Sequence, residues 1–118
     1  VITSRIDNDD IYLDGFVKAV QEQFKPEIMA IDIDYFQFYN GCNYTSERHT
    51  ATSPFISLVE PSNRIKSVYC RPHYKLVSGY PISDTEKKII PSVKLTEQYA
   101  LMVIHESNMA NKLVGKKV

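Results

Sequence analysis

The feature that most constrains this chain is the run Asp7-Asn8-Asp9-Asp10, set directly behind Val1-Ile2-Thr3-Ser4-Arg5-Ile6. The β-branched, apolar first stretch reads as a buried strand. Four acidic or amide side chains in a row cannot continue a sheet interior, so the strand must stop there. Beyond them Leu13, Phe16, Val17, Val20 and Phe24 recur at the three- and four-residue spacing of an amphipathic helix. Asp14 is its expected N-cap and Pro26 its end. The opening unit is therefore strand, acidic loop, helix.

Crowded carboxylates at a strand end repel one another unless a cation, an arginine or a helix N-terminus offsets them. Oxygen-only ligands of this kind suit Mg²⁺ or Mn²⁺, which take one or two carboxylates and complete their shell with phosphate and water. The same residues also read as a solvated turn with helix-capping aspartates. An EF-hand is excluded, because Ile11 and Tyr12 stand where that pattern needs Asp or Asn and then Gly.

The middle of the chain changes character. Residues 29–39 read as one extended segment, and Asn40-Gly41 predicts a hairpin turn, with residues 42–48 as the return strand. Ser53-Pro54-Phe55-Ile56-Ser57-Leu58-Val59 reads as a short strand closed by Glu60-Pro61, and residues 65–70 as a further strand ahead of Pro72. Ser83 with Glu86 fits a capping box for a helical turn through Ile89. Residues 99–104 form a last buried strand, followed by His105-Glu106-Ser107-Asn108 and a lysine-bearing tail expected to fray.

Charge narrows the function classes. Lys plus Arg and Asp plus Glu are 14 each, so the formal net charge is zero, without the positive surplus of a nucleic-acid binder. The longest apolar run, residues 99–104, is too short to span a bilayer, and no basic-then-apolar signal segment opens the chain. Cys42 and Cys70 lie in no CxxC or Cys/His cluster and are expected to be reduced. With 118 residues and no internal repeat or linker, the chain reads as a single unit of mixed α and β structure. It begins inside a strand-like run, as a piece of a longer protein would.

Thr3-Ser4-Arg5-Ile6-Asp7-Asn8-Asp9-Asp10, followed by Asp14-Gly15-Phe16-Val17, resembles the Asp-x-Asp segment of GT-A fold glycosyltransferases. Within them it is most similar to the bacterial rhamnosyltransferase-like group, whose segment reads Thr-Arg-(Ile/Leu)-Asp-Asn-Asp-Asp before a helix. The stretch from Ser53 to Pro61, and Val103-Ile104-His105 with Asn108, fit the same group in the same order.

The resemblance implies an α/β, GT-A-like (nucleotide-diphospho-sugar transferase) mixed sheet, a partial domain with an added β-hairpin. Residues 1–118 would be the later part of a catalytic domain, with the upstream nucleotide-binding part absent. It implies a metal-dependent transferase moving a sugar from a nucleotide-sugar donor to a saccharide or lipid-linked acceptor. Mn²⁺ or Mg²⁺ would sit on the diphosphate. The expected place is the cytoplasm, including the inner face of the membrane. Carried over, Asp7 meets the donor ribose, Asp9 holds the metal, and Asp10 is a supporting or acceptor-side carboxylate. His105 completes the metal or diphosphate contacts, and Arg5 assists the departing diphosphate.

An inverting transfer also needs a group to take the acceptor's proton. Glu60 is the candidate, at a strand end inside a matched motif, and Glu106 is the alternative; an exposed loop carboxylate is the plainer reading of Glu60. His73 and His49 read as surface histidines. Asp32-Ile33-Asp34 repeats the Asp-x-Asp spacing inside a strand, without a following helix N-terminus. Tyr35, Phe36, Phe38, Tyr39 and Tyr44 read mainly as packing residues, with one or two available to stack on an acceptor sugar. A different class also fits: a non-catalytic α+β binding module whose acidic loop holds a cation or a partner. An open sheet edge left by missing strands would favour self-association.

Overall fold

The computed structural model describes residues 1–7, 10–39, 44–48, 52–97, 99–103 and 116–117. In chain order these form β1 (Ile2–Ser4), β2 (Asp10–Tyr12), α1 (Phe16–Glu22), β3 (Met29–Ile33), β4 (Tyr35–Tyr39), β5 (Tyr44–Arg48) and β6 (Ser57–Val59). A 3₁₀ turn (Val68–Cys70), α2 (His73–Leu76), β7 (Tyr80–Pro81), β8 (Lys87–Lys88), β9 (Ser92–Leu95), β10 (Ala100–Val103) and β11 (Lys116–Lys117) follow.

The strands make two mixed sheets and a small hairpin. The first has the order β1-β6-β3-β9, the second β11-β5-β4-β10-β2, and β7 pairs with β8. Because β6 is antiparallel to both β1 and β3, while β9 is parallel to β3, strands β1, β3 and β9 all run the same way. Their carboxyl ends therefore share one edge of the first sheet.

Side-chain alternation along β3 explains why that sheet lies at the centre. Met29, Ile31 and Ile33 enter one core with Phe16, Ala19, Val20, Phe36, Phe38 and Phe55. Ala30 faces the other way, into a second core with Ile56, Leu58, Val68, Leu76, Tyr80 and Ile90. All five residues of β3 are consequently buried, as expected of a strand covered on both faces. Aromatic packing seals the first core: Tyr12 stacks on Phe16 with ring centres 3.8 Å apart and meets Phe55 edge-on at 5.9 Å.

Several elements differ from the sequence reading. The extended segment 29–39 divides at Asp34, whose two halves join different sheets. The hairpin forms as β4 and β5, with Tyr39 opposite Tyr44; Asn40-Gly41 itself lies outside the described residues. The N-cap of α1 is Gly15 at φ 86°, not Asp14, and no side chain caps the helix. Phe24 falls beyond the helix and is 49% exposed.

Residues 65–70 are not a strand: the Lys66 and Ser67 amides go to the Glu60 carboxylate, and a 3₁₀ turn follows. Ser83 Oγ accepts from the Glu86 amide at 3.0 Å, as a capping box would have it. But the Ile82 amide donates to the Glu86 carbonyl, which closes the β7–β8 hairpin rather than a helix. Strands β2 and β9 have no counterpart in the sequence reading, and Lys116–Lys117 in the expected frayed tail pair with β5.

Candidate functional site

The acidic loop leaves the carboxyl end of β1 and turns back at once. The Asp10 amide donates to the Asp7 carbonyl at 3.1 Å, and the Asp7 amide donates to Asp10 Oδ2 at 3.3 Å. Asp10 thus closes the turn from beneath and is buried, whereas the Asp7 side chain is 45% exposed. Arg5 Nη2 lies 3.4 Å from Asp7 Oδ1 and offsets part of the loop's charge.

Two tyrosines hold the backbone that enters the loop. The Tyr12 hydroxyl donates to the Arg5 carbonyl. Tyr69 accepts from the Ile6 amide at 2.9 Å and donates to the Ile6 carbonyl at 2.8 Å. The Arg5 guanidinium sits 5.7 Å from the centre of the Tyr69 ring, within cation–π range. Burial, then the nearby Asp10 charge, pushes the Tyr12 phenol above its ordinary value. Neither tyrosine is marked in the sequence: Tyr12 sits in an unrecognised strand, and Tyr69 in a segment read as one.

A second acidic residue belongs to the same edge of the sheet. Asp32, at the end of β3, is 1% exposed and accepts from the Ile33 amide at 2.8 Å, the Ser53 amide at 2.9 Å and the Ser53 hydroxyl at 2.5 Å. Lys94 Nζ, from the opposing position of β9, lies 3.6 Å from Asp32 Oδ2. Asp32 is therefore an internal anchor for the chain entering β6.

Glu60 stands elsewhere. Because β6 runs antiparallel to β1, Glu60 pairs with Val1 at the amino end of β1, while the acidic loop leaves the other end. Four strand steps of about 3.3 Å separate Val1 from Arg5, roughly 13 Å in all. The carboxylate is 2% exposed and accepts from the Lys66 amide at 3.0 Å, the Ser67 amide at 2.8 Å and the Tyr80 hydroxyl at 2.6 Å. It is neither the expected proton acceptor beside the loop nor a solvated loop carboxylate. A cavity of about 360 Å³ lined by Phe24, Ile28, Val59 and Pro61 also lies at this amino end, away from the aspartates.

Asp9, His105, Glu106, His49 and Cys42 lie outside the described residues. His73, at the start of α2, directs Nδ1 to the Thr52 carbonyl at 3.0 Å. Cys70 is a free thiol, raised by burial. Among the described residues no group of three or more His, Cys, Asp or Glu side chains is placed to hold a metal ion. No helix among them is long and apolar enough to cross a membrane. No family model matches the chain, and no match was found among curated proteins or solved structures.

Proposed function

We propose that the chain is part of the catalytic domain of a GT-A-like, nucleotide-sugar-dependent glycosyltransferase. The observation that carries the reading is the position of the acidic loop. It leaves β1 at the edge where the carboxyl ends of β1, β3 and β9 lie together, and open α/β sheets bind ligands outside such an edge. The donor set fits a hard divalent ion, which needs only one or two carboxylates beside phosphate and water. Asp7 presents an exposed carboxylate, Asp10 fixes the turn beneath it, and Arg5 adds a cation.

In this reading Asp7 and Asp9 face the donor, with Asp9 and His105 toward Mn²⁺ or Mg²⁺. Such an ion, when bound, supplies Lewis-acid stabilisation of the departing diphosphate. Arg5 supports the same developing charge from the protein side. With Glu60 at the far end of β1, Glu106 is the carboxylate left to accept the acceptor hydroxyl's proton.

A non-catalytic α+β binding module whose acidic loop holds a cation or a partner is the second reading, favoured by the position of Glu60 at the amino end of β1, away from that loop. The test is a thermal-shift titration of the chain and of Asp9→Ala with Mn²⁺ and a panel of nucleoside diphosphates. Stabilisation that needs both ligands together and disappears in Asp9→Ala supports the transferase. Stabilisation by Mn²⁺ indifferent to nucleotide moves the binding module ahead. No response from the folded chain overturns the proposed function.

A further inference from the structure

Building on the proposed function, we propose that Tyr69 is a positioning residue for the acidic loop, setting the backbone from which the loop meets the donor and its divalent cation. Strand β1 ends at Ser4, and its last main-chain bond toward the β6 side is the Arg5 amide to the Ile56 carbonyl at 3.1 Å, so the ladder stops short of Ile6 and Asp7. Side chains supply the missing bonds. Tyr12 takes the Arg5 carbonyl, Tyr69 takes both the amide and the carbonyl of Ile6, and Asp10 takes the Asp7 amide. Of these, Tyr69 alone comes from a segment remote in sequence, and it grips one residue at both of its peptide groups, as a neighbouring strand would.

The place of Tyr69 is set from the other end of the sheet. Glu60 fixes the Lys66 and Ser67 amides, and Ser67 adopts φ 73°, a conformation uncommon for a residue with a side chain. The Ser67 hydroxyl then accepts the Tyr69 amide at 3.1 Å, and the Val68 amide donates to Thr3 Oγ1 at 2.8 Å. Residues 61–70 therefore run back along β1 from Glu60 to Ile6, with Tyr69 at the end. Tyr69 is 55% exposed, so its ring is not a core element, and its hydroxyl has a defined task. The same ring lies under the Arg5 guanidinium that approaches Asp7.

Tyr69→Phe keeps the ring and removes the hydroxyl, and Tyr74→Phe makes the same change at an exposed tyrosine of α2 as a control. Two readouts are needed: amide hydrogen exchange at Ile6 and Asp7, and Mn²⁺ affinity by spectroscopic titration of the free ion. Losing the hydroxyl is expected to speed exchange at Ile6 about tenfold. It should weaken Mn²⁺ binding by about tenfold, as loss of a group orienting a ligand does. Tyr74→Phe should change neither.

Unchanged exchange at Ile6 overturns the inference whatever happens to Mn²⁺. Faster exchange with unchanged Mn²⁺ affinity overturns it too, since the hydroxyl would then hold the loop without setting what the loop binds. A parent chain that binds no Mn²⁺ overturns the metal role in the proposed function and the cation half of this inference. In that case exchange at Ile6 decides by itself whether Tyr69 sets the loop.

Discussion

The Tyr80 hydroxyl donates to Glu60 Oε2 at 2.6 Å, in a setting where Tyr80 and Glu60 are both 2% exposed. The bond joins the end of β6 to the start of β7, and the same carboxylate holds the backbone at Lys66 and Ser67. Among the described residues the carboxylate is met by hydrogen-bond donors rather than by an ion pair, which is how a buried charge survives without a cation. A residue with the outward signature of a catalytic base is a keystone of the loop it precedes.

Removing that keystone should be costly. Glu60→Ala leaves two amides and a buried phenol without their acceptor, and should destabilise the fold by about 3 kcal/mol or more. Tyr80→Phe removes one donor and should cost about 1–2 kcal/mol. Urea unfolding at neutral pH measures both, and equal costs would contradict the geometry.

Alkaline pH should expose the buried phenols. Tyr12 and Tyr80 are both held above the ordinary value of 10.0, by burial first; Asp10 adds to the effect on Tyr12 and Glu60 to that on Tyr80. A raised acid keeps its proton in the folded chain longer than in the unfolded one. Its stabilisation is complete below the unfolded value and is lost as pH rises from there through the folded value. Stability should therefore begin to fall near pH 10, by up to about 1.4 kcal/mol per pH unit for each phenol. Urea titrations between pH 8 and 11.5 should show that Tyr80→Phe flattens this decline.

The Asp32–Lys94 pair should be unequal. Asp32 carries three hydrogen bonds in a buried setting, whereas the Lys94 side chain is 30% exposed and its Nζ stands 3.6 Å away. Asp32→Ala should cost about 3–5 kcal/mol, the scale for breaking a buried network. Lys94→Ala should cost about 1 kcal/mol or less, because solvent screens the exposed end. Thermal or urea unfolding of the two variants gives the comparison directly.

Gly15 should resist substitution for its backbone alone. At φ 86° it starts α1 in the left-handed region, and an added Cβ would meet Tyr99 Cε1 at an ordinary 3.5 Å. Gly15→Ala should therefore lose about 1–2 kcal/mol from conformational strain and little from crowding. A Tm drop similar to that of an exposed mid-helix Ala→Gly change would fit; no change would mean the turn relaxes.

What the linear pattern determined is local. The opening strand, the helix behind the acidic run, the β4–β5 hairpin and the apolar strand before Glu60 were legible, because each depends on residues within a few positions of one another, whereas β2, which begins at Asp10, forms only through its pairing with β10. The same proximity marked Asp7 and Asp10 as crowded carboxylates and Asp32 as a strand residue. Local signals also misled where a distant partner took over. Ser83 and Glu86 do form their hydrogen bond, yet in a hairpin, because β7 and β8 pair there.

The tertiary structure alone decided which residues meet. Glu60 is removed from the acidic loop by the antiparallel sense of β6, a property of chain direction that no motif records. Tyr69 reaches Ile6 across 63 positions, and Ser53 reaches Asp32 across 21, because Glu60 and the central sheet hold the intervening chain in place. Hydrophobic alternation specifies which face of a strand is buried, but not which strand will lie beside it. That choice comes from closing both cores at once, and it separates a cluster of aspartates in the sequence from a loop whose backbone is held at Arg5, Ile6 and Asp7 and whose Asp7 carboxylate is exposed in the folded protein.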